Sequence, residues 1–123
     1  MSKGREIADY IEDIITAIAD IEDFTHGMSY QIFSSDKKTV NAVIRCLEVL
    51  GEAAKHIPTS LRKKHPDIPW SKMAGMWNVL IHDYMGVNLM TVWKVSQERL
   101  LELKPLLEGL INGRSCPENQ ELW

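Results

Sequence analysis

The residues best suited to chemistry lie close together near the middle of the chain, in Pro69-Trp70-Ser71-Lys72-Met73-Ala74-Gly75-Met76-Trp77-Asn78-Val79-Leu80-Ile81-His82-Asp83-Tyr84. His82 carries an imidazole able to take or give a proton. Asn78 lies four residues earlier, about 40° away on one helix face, so its amide can hydrogen-bond and orient that ring. Trp77 is five residues from His82, about 140° around the axis, and Tyr84 meets the same difficulty. A site that uses all of them must therefore sit at a helix terminus and could straddle a dimer interface. Asp83 reads equally as a helix-end residue and as part of the site.

This segment and its flanks resemble the HepT-like family of HEPN-domain toxins, minimal ribonucleases of the MntA–HepT type of toxin–antitoxin pair. The family hallmark is Arg, a polar residue that is usually Asn, three further residues, His, any residue, Tyr. In those places stand Trp77, Asn78, Val79-Leu80-Ile81, His82, Asp83 and Tyr84. The resemblance extends to Phe24-Thr25-His26-Gly27, to Phe33 before Asp36, to Arg45-Cys46-Leu47-Glu48-Val49-Leu50-Gly51-Glu52-Ala53, and to His65-Pro66-Asp67-Ile68-Pro69-Trp70. It covers roughly residues 5 to 110.

The resemblance implies a metal-independent endoribonuclease acting on RNA, tRNA among the candidates. His82 would be the acid/base and Asn78 its orienting partner. Tyr84 would receive adenylate groups from an MntA-like nucleotidyltransferase antitoxin. No cofactor is implied for the chain itself, since ATP is used by that partner. Added phosphates would put negative charge where an RNA phosphate must bind.

The departure is at position 77. A guanidinium holds a scissile phosphate and the charge that grows on it; Trp77 offers one N–H and a ring face. Losing such a contact commonly costs a factor on the order of 10²–10³ in rate. The chain then reads as a weakened or inactive ribonuclease or, alternatively, as a catalytically dead HEPN module that only binds its nucleotidyltransferase. Trp77 is either a natural change or an introduced one, and its simplest physical role is to pack against Met73, Met76 or a partner chain.

Outside the motif, Arg45, Glu48 and Glu52 share one helix direction, which fits either a solvated ion-pair face or a set supporting the active site. In the second case Arg45 would supply some of the charge that Trp77 lacks. The run Arg62-Lys63-Lys64-His65 reads as a solvated turn, or as the surface by which RNA approaches. Four dispersed histidines and no cysteine pair give no metal-ligand spacing, and no Gly-rich phosphate loop is present.

The elements that must position these groups read as helices. Ile7, Ile11, Ile14, Ile18 and Ile21 recur at three- and four-residue steps, and His26-Gly27-Met28-Ser29 ends that helix. After Ser34-Ser35-Asp36, any of which can cap, Val40, Val43, Ile44, Leu47, Leu50, Ala54 and Ile57 form a second stripe closed by Pro58. Thr59–Lys64 reads as a short helical turn, and Ser71 as the N-cap of a helix from Lys72 to about His82. A last helix from Asn88 carries Leu89, Val92, Trp93, Ser96, Leu100, Leu103 and Leu107, and Pro105 should kink or restart it. No alternating strand pattern exists. The expected fold is an all-α antiparallel bundle of four to five helices, HEPN-like and a symmetric dimer. The expected organisation is one domain over 1–111 and a mobile tail over 112–123.

The 123 residues carry 14 Lys and Arg against 17 Asp and Glu, a formal net charge of −3. That balance argues against a broad basic face that coats nucleic acid, while leaving room for a small phosphate site. Two cysteines, no signal-peptide pattern at the start and no window near the ~20 apolar residues of a membrane helix point to a cytoplasmic protein.

Overall fold

The computed structural model describes residues 6–75 and 89–115, with side chains through Leu110. Its described elements are helical. They are α1 (Ile7–Thr25), α2 (Tyr30–Ser35), α3 (Lys37–Lys55), α4 (Thr59–Lys64), the helical residues 70–75 (α5), α6 (Leu89–Lys94), a π-helical turn (Val95–Arg99) and α7 (Leu100–Ser115). Among the described residues there is no strand, as the absence of alternating polarity predicts.

The isoleucine stripe of α1 is the centre of the core. Ile14, Ile18 and Ile21 are wholly buried and Ile11 nearly so, whereas Ile7, expected on the same stripe, is 40% exposed. Ile7 is the first residue of the helix, at the end of the bundle, where little packs over it. The start is held instead by the Asp9 carboxylate, which accepts from the Glu6 N–H at 3.0 Å. The other end closes as the sequence suggests. Gly27 takes φ +78°, a left-handed conformation that suits glycine, and the Met28 N–H reaches back to the Thr25 carbonyl at 3.0 Å.

Asp36 caps α3: its carboxylate accepts from the Thr39 N–H at 3.2 Å and the Thr39 hydroxyl at 2.9 Å. Val40, Val43, Leu47, Leu50 and Ala54 are buried as expected, while Ile44 is only partly covered. The helix stops at Lys55, three residues before Pro58, and the buried Ile57 follows it in the turn. Between α1 and α3 lies α2, capped by the Ser29 hydroxyl on the Ile32 N–H at 3.2 Å, whose Phe33 is wholly buried. The apolar spacing does not predict α2.

Two pairings fix the helix directions. Tyr10 near the start of α1 stacks on His56 at the end of α3, so these helices run antiparallel. Gln97 bonds Thr25 and Lys104 bonds Glu22, so the chain from the π-turn into α7 runs back along α1. Lys104 and Glu22 meet at 3.0 Å, and the Glu22 carboxylate raises the Lys104 ammonium above the usual lysine range.

The last helical stretch corrects one expectation. Pro105 lies inside α7, and the departure from α geometry comes earlier, at Val95–Arg99. A proline removes one N–H and crowds the carbonyl four residues back, here that of Leu101. Pro105 and Leu101 are both on the exposed side, where water can satisfy that carbonyl. The buried face, with Leu100, Leu103, Leu107 and Leu110, continues unbroken.

Candidate functional site

Trp77, Asn78, His82, Asp83 and Tyr84 lie outside the described residues, as does Cys116. The structure does define the lead into that segment. Trp70 is 4% exposed, and its indole N–H donates to the His65 carbonyl at 3.1 Å. Met73 is also buried, and its N–H donates to the Pro69 carbonyl at 3.0 Å. The helix therefore opens at Trp70, slightly earlier than a Ser71 cap would place it. Trp70 and Met73, three residues apart, seat one face of α5 on the bundle.

Arg45, Glu48 and Glu52 are brought together in a cleft of about 420 Å³ beside α1, shared with Tyr10, Asp13 and His56. Arg45 Nη1 lies 3.4 Å from Glu48 Oε1, and its side chain is 73% exposed against 26% for Glu48. At the far end Glu52 faces two basic groups, with Oε2 3.3 Å from His56 Nε2 and Oε1 4.0 Å from Lys55 Nζ. The His56 ring lies flat on Tyr10, centroids 4.6 Å apart and planes 11° from parallel. A carboxylate on one ring nitrogen and an aromatic face below fix the imidazole in place.

Chemically, the cleft holds one oriented imidazole and one guanidinium among three carboxylates, Asp13, Glu48 and Glu52. Its charge balance repels a phosphate and suits a cationic group. Arg45 reaches solvent, but its nearest charge is Glu48, so any positive field it sends outward is reduced by that pair. Sequence reasoning singled out Arg45, Glu48 and Glu52 and missed Tyr10, Asp13 and His56. The available signal for His56 was its position four residues after Glu52, one helical turn on the same face.

The basic run divides in two. Arg62 Nε donates to the Ile57 carbonyl at 2.9 Å and Nη2 to the Ala54 carbonyl at 2.7 Å, so this guanidinium caps the end of α3. Lys63 and Lys64 are exposed on α4.

Cys46 is half-buried on α3, and burial, reinforced by Asp20, raises its thiol above the usual range. Among the described residues, no three or more His, Cys, Asp or Glu side chains are grouped to hold a metal ion. Nor is any described helix long and apolar enough to cross a membrane.

Comparison with known proteins places this architecture. The family model described as "Ribonuclease HepT-like" matches residues 14–110, a span that includes the α3 side of the cleft and the whole motif segment. A protein of Thermococcus cleftensis named "Probable ribonuclease HepT" is 47% identical over 106 residues, covering 86% of this chain and 96% of that one. Two Methanocaldococcus jannaschii proteins named as candidate RNases are 44% and 43% identical over 107 residues. Each of these two alignments covers 87% of this chain, with 92% and 88% of the respective relatives. No solved structure matches. A family match over most of the chain, together with relatives aligned along nearly their whole length, shows that the chain belongs to the HepT-like ribonuclease family.

Proposed function

We propose that this chain is the toxin of a two-component system, a metal-independent endoribonuclease controlled by a nucleotidyltransferase antitoxin. The observation that carries the reading is the coincidence of the family match over 14–110 with Asn78, His82 and Tyr84 in the family's spacing. His82 takes the proton from a ribose 2′-OH as that oxygen attacks the adjacent phosphorus, or gives one to the departing 5′-oxygen. Asn78 holds the imidazole. Two copies of the chain meet at this segment, since one helix face cannot present all its polar residues to one pocket. The protein acts in the cytoplasm.

Tyr84 accepts adenylate from ATP bound by the partner, and the added charge opposes RNA phosphate. The chain needs no cofactor of its own. Trp77 lowers the rate, because an indole cannot neutralise charge growing on phosphate oxygens. The same residue favours a second reading, a HEPN module that retains only complex formation with the nucleotidyltransferase.

The test compares this chain with Trp77→Arg and Trp77→Arg/His82→Ala on RNA in the presence of EDTA. Cleavage that rises on the order of 10²–10³-fold with Arg and vanishes without His82 supports the ribonuclease reading. An inert Trp77→Arg form removes it. Incubation with the cognate nucleotidyltransferase and ATP, read by intact mass, should add adenylate to the chain and not to Tyr84→Phe. An unchanged mass, or one that shifts without Tyr84, refutes that step.

A further inference from the structure

Two adjoining clefts meet at Pro69 and Lys72. The first, about 320 Å³, runs from Lys72 to Arg62. The second, about 270 Å³, runs from Lys72 over Met73 and Leu103 to Arg99. Among the described residues no carboxylate lines either cleft, in a chain whose acids outnumber its strong bases by three, 17 against 14. The Tyr10–His56 cleft holds three carboxylates, so the two surfaces have opposite character.

The cations at this junction differ in how they are held. Arg62 is tied to the carbonyls ending α3 and is part of the frame. Lys72 and Arg99 are exposed, and among the described residues no hydrogen bond or ion pair engages either. Arg99 is the last residue of the π-helical turn, and Val95, the first, lines the same cleft. Such turns are uncommon and recur at functional sites because the extra residue redirects side chains. The floor between the cations is apolar, with Met73 buried beneath.

We propose that these joined clefts are a groove for the RNA strand, in which Lys72 and Arg99 each contact a backbone phosphate and the apolar floor between them takes the face of a base. This rests on the ribonuclease reading. A positively charged groove that tracks the backbone is the pattern of single-strand binding, and here aliphatic Val95 and Leu103 rather than aromatic rings would meet the base face. The groove is lined in part by Trp70, Ser71, Lys72 and Met73 of α5, the element that precedes the motif segment in the chain. It explains how an acidic chain binds a polyanion: the positive charge is local.

The experiment is fluorescence anisotropy with a labelled single-stranded RNA of about 12 nucleotides, titrated with the full chain at several salt concentrations. Lys72→Ala/Arg99→Ala should bind roughly tenfold more weakly, with a salt slope flatter by about 1.4, two phosphates at about 0.7 each. Lys72→Arg/Arg99→Lys, which keeps the charges, should hold affinity within about twofold, as should Lys63→Ala/Lys64→Ala, whose positions line neither cleft. If the unaltered chain binds no RNA, the groove is overturned, while the ribonuclease reading is decided separately by cleavage with Trp77→Arg. If it binds and the double alanine variant binds equally, the reading stands and the groove is overturned. Unchanged RNA binding with lost affinity for the nucleotidyltransferase would reassign the surface to an acidic protein segment, and would likewise overturn the proposal.

Discussion

Tyr10 and His56 stack face to face, centroids 4.6 Å apart, and so join the first turns of α1 to the residue that caps α3. The contact closes one end of the antiparallel pair. Glu52, 3.3 Å from His56 Nε2, holds the ring against rotation. A double-mutant cycle with Tyr10→Leu and His56→Ala, read by urea denaturation, should give a coupling of about 0.5–1.5 kcal/mol. Zero coupling would mean that the rings are neighbours without mutual stabilisation.

Arg62 is a capping residue within what looks in sequence like a solvated basic run. Its guanidinium bonds the Ile57 carbonyl just past α3 and gives a second, charged donor to the Ala54 carbonyl, which the Ile57 N–H also reaches at 3.2 Å. Removing a charged donor from two such acceptors costs about 2–3 kcal/mol. Arg62→Ala should destabilise the fold by that amount, Arg62→Lys should recover only part of it because one ammonium cannot match the fork, and Lys63→Ala should be silent. Equal effects of Arg62→Ala and Lys63→Ala in thermal melts would remove the capping role.

Gln97 and Thr25 link the π-turn to the end of α1. Gln97 Nε2 donates to Thr25 Oγ1 at 2.8 Å, while the Thr25 hydroxyl donates to the Ile21 carbonyl at 2.8 Å. Thr25 is 3% exposed, so water is a poor replacement. Thr25→Val keeps the shape, removes the acceptor and should cost about 1–3 kcal/mol, with hydrogen exchange rising first across 95–99. Exchange that rises uniformly instead would show that the bond does not specifically hold the π-turn.

The long helices were legible because apolar spacing is a property of the chain alone. Ile11, Ile14, Ile18 and Ile21 are buried as their period requires, and Ile7 departs only because a stripe does not show where the covering bundle ends. Helix α2 is six residues long, too short to display a period, and its cap Ser29 reads equally as the tail of the α1 stop signal. The π-turn escaped for a related reason: one residue of extra width within a long apolar pattern resembles ordinary scatter, while Pro105 offers a more obvious break. Of the candidate site, Arg45, Glu48 and Glu52 were visible as a helix face. Tyr10 and Asp13 come from another helix, and only tertiary packing brings them into the same cleft.

Cys46 should be a slow thiol. Burial and the nearby Asp20 raise it above the usual cysteine range, with Arg45 opposing, so the reactive thiolate is scarce at neutral pH. Alkylation by iodoacetamide at pH 7.5, followed by peptide mapping, should label Cys46 at least about tenfold more slowly in the folded chain than in urea, with the folded rate climbing as pH rises. Equal rates in both states would show that the α3 packing does not shield the sulfur.

Asp36 ties stability to acid pH. Its carboxylate accepts from the Thr39 hydroxyl and then the Thr39 N–H, and these bonds lower it from the ordinary 3.8. A group whose folded value is depressed stabilises the fold above its unfolded value and loses that contribution as pH falls through the folded one. Asp36→Asn retains an acceptor but no charge. At pH 7 it should melt slightly below the unaltered chain, and the gap should narrow as pH drops below 3.8 and the native carboxylate is protonated. Thr39→Val, which removes the largest cause of the shift, should reduce the same acid dependence while leaving the N–H bond in place. Parallel melting curves for Asp36→Asn and the unaltered chain at every pH would show that the cap works through shape alone, without its charge.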